Sequence, residues 1–159
     1  MDLNEFYNKV SDIRIDFNIE SESQKKYLLS NEVLFQLPFI SMVILLLAKE
    51  RSKPKVPEIG ELVGKCLENS VPTFKKSNQY INWSANLMIR TVKAMQILEV
   101  HELISIDNSV SSIKITKLGK KVISRALNKD DNLAWNLITI QHSYQSIRKY
   151  QQFESEIEQ

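Results

Sequence analysis

Between residues 84 and 127 the hydrophobic period changes twice, and few folds accommodate such a sequence. Leu87, Met88, Val92, Met95 and Leu98 recur at helical steps. Leu103, Ile104 and Ile106, and then Ile113 and Ile115, place apolar residues two apart, which is strand spacing. The stretch Asp107-Asn108-Ser109-Val110-Ser111-Ser112 between them consists almost entirely of turn formers. Thr116 then offers a helix N-cap, and Leu118, Val122, Ile123, Ala126 and Leu127 return to helical spacing. The spacing predicts helix, two-stranded hairpin, helix.

Upstream, Leu3, Phe6, Tyr7, Val10, Ile13 and Phe17 suggest a first helix over 2–17, followed by a polar linker. Along 39–48 both faces are apolar: Ile40, Val43, Ile44 and Leu47 on one side, Phe39, Met42, Leu45 and Leu46 on the other. Such a helix lies inside a bundle or against a partner. Pro38 suits its first turn, and Pro57 opens another helix with Glu58 near its positive end. Ile59, Leu62, Val63, Cys66 and Leu67 form a narrow core stripe there, so Cys66 is read as a buried structural thiol. After Asp130-Asp131, Leu133, Leu137, Ile140, Tyr144 and Ile147 recur like a coiled-coil seam, continued by Tyr150, Phe153 and Ile157. That seam needs a cover: the first helix, a second copy or another protein.

The expected fold is therefore mainly α with a small β-hairpin: a winged helix-turn-helix core with N- and C-terminal helical extensions. The expected division is 1–31 for the first helix and linker, 32–129 for the winged-helix domain, and 130–159 for a packing or oligomerisation helix. The 69–83 gap is longer than the 3–4-residue turn of a compact helix-turn-helix, which opens room for a contact loop.

Charge is divided along the chain. Residues 71–129 hold ten Lys/Arg and three acids, a net of +7, against −2 for residues 1–70 and −3 for 130–159. Nucleic-acid and acidic-protein surfaces both select such a basic half. Candidate contacts are Lys75 and Lys76 in the loop, beside Phe74, Tyr80 and Trp83. Asn86, Arg90 and Lys93 share one helix face, a suitable set for base edges and phosphate. Lys114, Lys117, Lys120, Lys121 and Arg125 complete the set. Lysines in the first turns of a helix oppose its dipole, which hints at a bound anion or an acidic partner.

No catalytic set and no metal set is recognised. His101 lies between Glu99 and Glu102, but that crowding reads as a surface turn. With three glycines the chain offers no glycine-rich phosphate loop, and no cofactor is expected. A lone cysteine fits a reducing cytoplasm, the first residues do not read as a signal peptide, and no run is long enough to span a membrane.

The segment Thr116-Lys117-Leu118-Gly119-Lys120, following an apolar strand and a short wing, resembles the helix start of many winged-helix families. The likeness covers roughly residues 37–127. More narrowly, a small glycine-poor winged-helix chain with helical extensions resembles the middle component of bacterial three-component ABC-type ATPase systems. These include the small subunit of Lamassu-type defence complexes and, more broadly, the MukE- and ScpB-like accessory subunits of SMC complexes. The resemblance implies a non-enzymatic subunit that docks on an SMC/ABC-type ATPase in antiphage or anti-plasmid defence, with double-stranded DNA as a further partner of the basic half. The alternative is a homodimeric winged-helix transcriptional regulator reading an operator.

Overall fold

The computed structural model describes residues 36–71 and 85–157. Helix α1 (Leu37–Lys49) carries Pro38 in its first turn and buries Phe39, Ile40, Val43, Ile44, Leu45, Leu46, Leu47 and Ala48. The apolar residues on both of its sides have one physical outcome: α1 is the central helix. It packs against α2 (Ile59–Ser70), α3 (Ala85–Val100), strand β2 (Ser112–Ile115), α4 (Lys117–Leu127) and α5 (Asn132–Ile157). Its C-terminal carbonyls are capped by Lys53, whose Nζ donates to the oxygens of Ala48 at 2.8 Å and Glu50 at 2.7 Å.

Pro57 sits in a short 3-10 turn (Val56–Glu58) that feeds α2, so the α-helix itself starts two residues later than the proline suggests. The stripe of Ile59, Leu62, Val63, Cys66 and Leu67 is buried as expected. It packs on α3 and α5.

Helix α3 turns inward with Leu87, Thr91, Ala94, Met95 and Leu98, and leaves Val92 47% exposed. The sequence reading assigned Val92 to the core. Thr91 takes the inward place because its hydroxyl donates to the Leu87 carbonyl at 2.8 Å, so burying it leaves no polar group unpaired. The helix closes through Glu102, which adopts a left-handed backbone (φ 55°), while the Leu103 amide donates back to the Leu98 carbonyl at 2.8 Å.

The hairpin forms as the alternation requires. β1 (Ile104–Asp107) pairs antiparallel with β2, Ile104 opposite Ile115 and Ile106 opposite Ile113. The isoleucines therefore share one face, with Ile104 and Ile113 fully inside. Lys55 adds a single bridged residue on the other edge of β2, opposite Ser112. Two hydrogen bonds flank it, from the Val56 amide to the Ser111 carbonyl (2.8 Å) and from the Ile113 amide to the Pro54 carbonyl (2.9 Å).

The Thr116 hydroxyl accepts from the Gly119 amide at 3.1 Å and donates to the Glu102 carbonyl at 2.7 Å. One side chain thus caps α4 and ties it to the end of α3. The α5 helix begins where the acidic pair indicated, with Asp131 Oδ1 accepting from the Ala134 amide at 2.8 Å.

The expected partner seam on α5 lies inside this fold. Leu137, Ile140 and Tyr144 are fully buried, and Leu133 and Ile147 pack against the same core. Helix α5 covers α2, α1 and α4, so these residues are not free to form an intermolecular seam. Only the distal end of the stripe remains outside, with Tyr150, Phe153 and Ile157 64–83% exposed. Polar clamps reinforce the packing: Gln145 Nε2 donates to Glu50 at 3.0 Å, and Arg148 pairs with Glu58.

Candidate anion-binding and partner interface

On α4, Gly119, Ile123 and Ala126 face inward. That orientation turns Lys117, Lys120, Lys121 and Arg125 to solvent, together with Lys129 just past the helix end. The apolar Leu118 and Val122 lie among them, 51% and 36% exposed. An open groove along this face is lined by Leu118, Lys121, Val122, Arg125 and Lys129. Helix α4 carries no acidic residue, and among the described residues none of these cations forms an ion pair.

The positive region extends off the helix. Burial, followed by the charge of Lys120, lowers the Lys53 ammonium below its ordinary value, with Glu50 opposing. Lys53 thus lies near enough to Lys120 for its charge to be felt at the edge of the basic face, while its ammonium stays held by the carbonyls that end α1. Sequence reasoning missed Lys53 in this role. Its only signal was a position just past the C-terminus of an apolar helix, where a lysine meets free carbonyls.

Lys114 is committed elsewhere. Its Nζ lies 2.6 Å from Asp107 Oδ2 across the hairpin. The Lys114 and Ser109 hydrogen bonds hold the Asp107 carboxyl at about 2, far below the usual range. Lys117 and Leu118 also line a second groove, shared with Glu99, Glu102 and Ile106, so the basic face is bordered by acid on the hairpin side.

Asn86, Arg90 and Lys93 are exposed and share the outer face of α3, as their spacing requires. That face has a different character from the one expected. Ile89, Val92, Ile97 and Val100 stand 44–78% exposed among them. Lys75 and Lys76, with Phe74, Tyr80 and Trp83, lie outside the described residues.

Burial pushes the Cys66 thiol up to about 12, which removes it as a nucleophile at neutral pH. Among the described residues, no cluster of three His, Cys, Asp or Glu could hold a metal ion, and no helix is long and apolar enough to cross a membrane. His101, Glu99 and Glu102 form the closing turn of α3. No family model, no curated protein and no solved structure matches the chain.

Proposed function

We propose that this chain is a non-catalytic binding subunit built on a winged-helix core. It docks on an SMC/ABC-type ATPase in a bacterial antiphage or anti-plasmid defence complex and contacts double-stranded DNA through its basic face. The element order supports the core reading: helix, one bridged residue, helix, helix, hairpin, with the bridged residue lying beside the returning strand. The observation that carries the binding role is the outward set Lys117, Lys120, Lys121 and Arg125 on α4, which forms no ion pair among the described residues. A phosphate backbone or an acidic protein surface supplies what that set lacks. The resemblance to accessory subunits of SMC complexes names the ATPase.

The operator-reading alternative is weaker on two counts. The helix that would enter a major groove presents Ile89, Val92, Ile97 and Val100 among its polar residues, and base edges offer little to so many aliphatic groups. The seam that would have made the dimer is spent inside the fold.

The test uses the full chain. Fluorescence anisotropy with duplex DNA of unrelated sequences across a salt series gives weak affinity, indifferent to sequence, falling linearly on a log–log plot. The triple variant K120E/K121E/R125E flattens that slope by about three. Affinity capture from the native host recovers a large ATPase. Sequence-selective binding, or neither DNA nor ATPase, overturns the reading.

A further inference from the structure

The last turns of α5 change face. The buried line of the helix runs through Leu137, Ile140, Tyr144 and Ile147. Steps of four and three carry that line on to Gln151 and Glu154, which are polar. Tyr150, Phe153 and Ile157 follow a second line, about a third of a turn round the helix from the first. They are 67%, 64% and 83% exposed. Two aromatic rings and an isoleucine aligned in solvent mark a contact surface.

The flanking charges identify the occupant. Lys149 and Glu156 border this second line on the same side, seven residues apart. That is about 10 Å along the helix, too far for them to reach each other. Neither forms an ion pair among the described residues. The Glu156 carboxylate accepts only from Gln152 Nε2 of its own helix, at 3.2 Å.

A second copy laid antiparallel, with its two-fold axis between Gln151 and Gln152, answers each of these residues. Tyr150 packs beside the partner's Phe153, and Ile157 covers the partner's Ser146. Lys149 meets the partner's Glu156, and the symmetry repeats every contact. The opposed helix dipoles favour the same orientation. A parallel pair would turn Lys149 to the partner's Glu154 and give Glu156 no cation. Each copy buries about 500 Å², so the pair reaches about 1,000 Å², the lower limit for a specific interface. The association is therefore weak, with Kd on the order of 10–100 μM.

We propose that the last turns of α5 pair antiparallel with the same turns of a second copy of this chain, through Tyr150, Phe153 and Ile157 and two Lys149–Glu156 ion pairs. This surface is distinct from the seam that α5 buries inside its own fold. The pairing leaves the basic face of α4 free in both copies and holds whatever that face binds.

Sedimentation equilibrium of the full chain, over about 1–300 μM, tests it. The mass climbs from the 18.5 kDa monomer towards twice that value as concentration rises. Phe153→Asp stays monomeric throughout and melts like wild type, because the residue lies outside the core. Tyr150→Asp repeats the measurement, should the substitution at Phe153 disturb the helix. Lys149→Glu and Glu156→Lys each raise Kd about tenfold, since each sets like charges together twice. The double variant K149E/E156K brings Kd back to within about threefold of wild type. A monomer at every concentration overturns the proposal. A dimer that survives both Phe153→Asp and Tyr150→Asp lies elsewhere and overturns it. A dimer weakened by Lys149→Glu but indifferent to Glu156→Lys is parallel, and overturns the arrangement.

Discussion

The guanidinium of Arg148, two-thirds of the way along α5, pairs with the carboxylate of Glu58 in the turn that starts α2. The same guanidinium donates from Nε to the Tyr144 hydroxyl at 2.9 Å and lies over the Tyr144 ring, 5.1 Å from its centroid. Burial alone would raise the Glu58 carboxyl, but the hydrogen bonds from Arg148 and the Lys55 amide, with the Arg148 charge, hold it below its ordinary value.

Arg148→Ala therefore costs about 1–2 kcal/mol, discounted for partial exposure of the pair. Because the Glu58 carboxyl is depressed in the folded state, its contribution is complete above the unfolded value of 4.5 and is lost as pH falls through the lower folded value. Thermal melts of wild type and E58Q measured against pH check this. The gap between them is constant near neutrality and narrows only in the acid range.

A methyl group at Gly119 would lie 2.1 Å from the Leu103 carbonyl oxygen, a backbone atom that cannot swing aside. Gly119→Ala pushes α4 away from the end of α3 and destabilises by about 2–3 kcal/mol. Thr116→Ala costs about 1 kcal/mol, and Thr116→Ser recovers most of it. Urea unfolding curves for the three variants give this order.

Glu102 holds a left-handed backbone that a side chain disfavours. Glu102→Gly stabilises by about 0.5–1 kcal/mol, the relief of strain exceeding the added freedom of the unfolded chain. Calorimetry shows a higher melting temperature. A lower one would mean that the carboxylate has a role in the folded state.

Asp107 occupies Lys114, so Asp107→Asn releases a cation onto the hairpin edge. Melting is little changed, since the asparagine carbonyl can still accept from Ser109. DNA affinity rises, and its salt slope steepens by about one.

The sequence disclosed elements whose pattern has one physical solution. Aliphatic residues on both sides of 39–48 require a central helix, and paired isoleucines two apart fix the hairpin register. Thr116 marks a helix start because few other residues cap an amide that way. What stayed hidden depends on tertiary choice. Thr91 and Val92 are adjacent on α3, and only the packed helix decides which one faces in. The period of Leu133, Leu137 and Ile140 announces a cover but cannot say that it belongs to the same chain. The aliphatic outer stripe of α3 was present as Ile89, Ile97 and Val100, masked by the stronger inner stripe. Lys53 became part of the basic region only when α1 and α4 came together.

Helix α1 is greasy on every side, and the helix that finishes enclosing it, α5, lies far downstream of it in the sequence. While the ribosome is still adding residues beyond 130, α1 lacks part of its shelter. Completion of the core is thus deferred until α5 has emerged, and the nascent chain is most adhesive in the interval between the two helices.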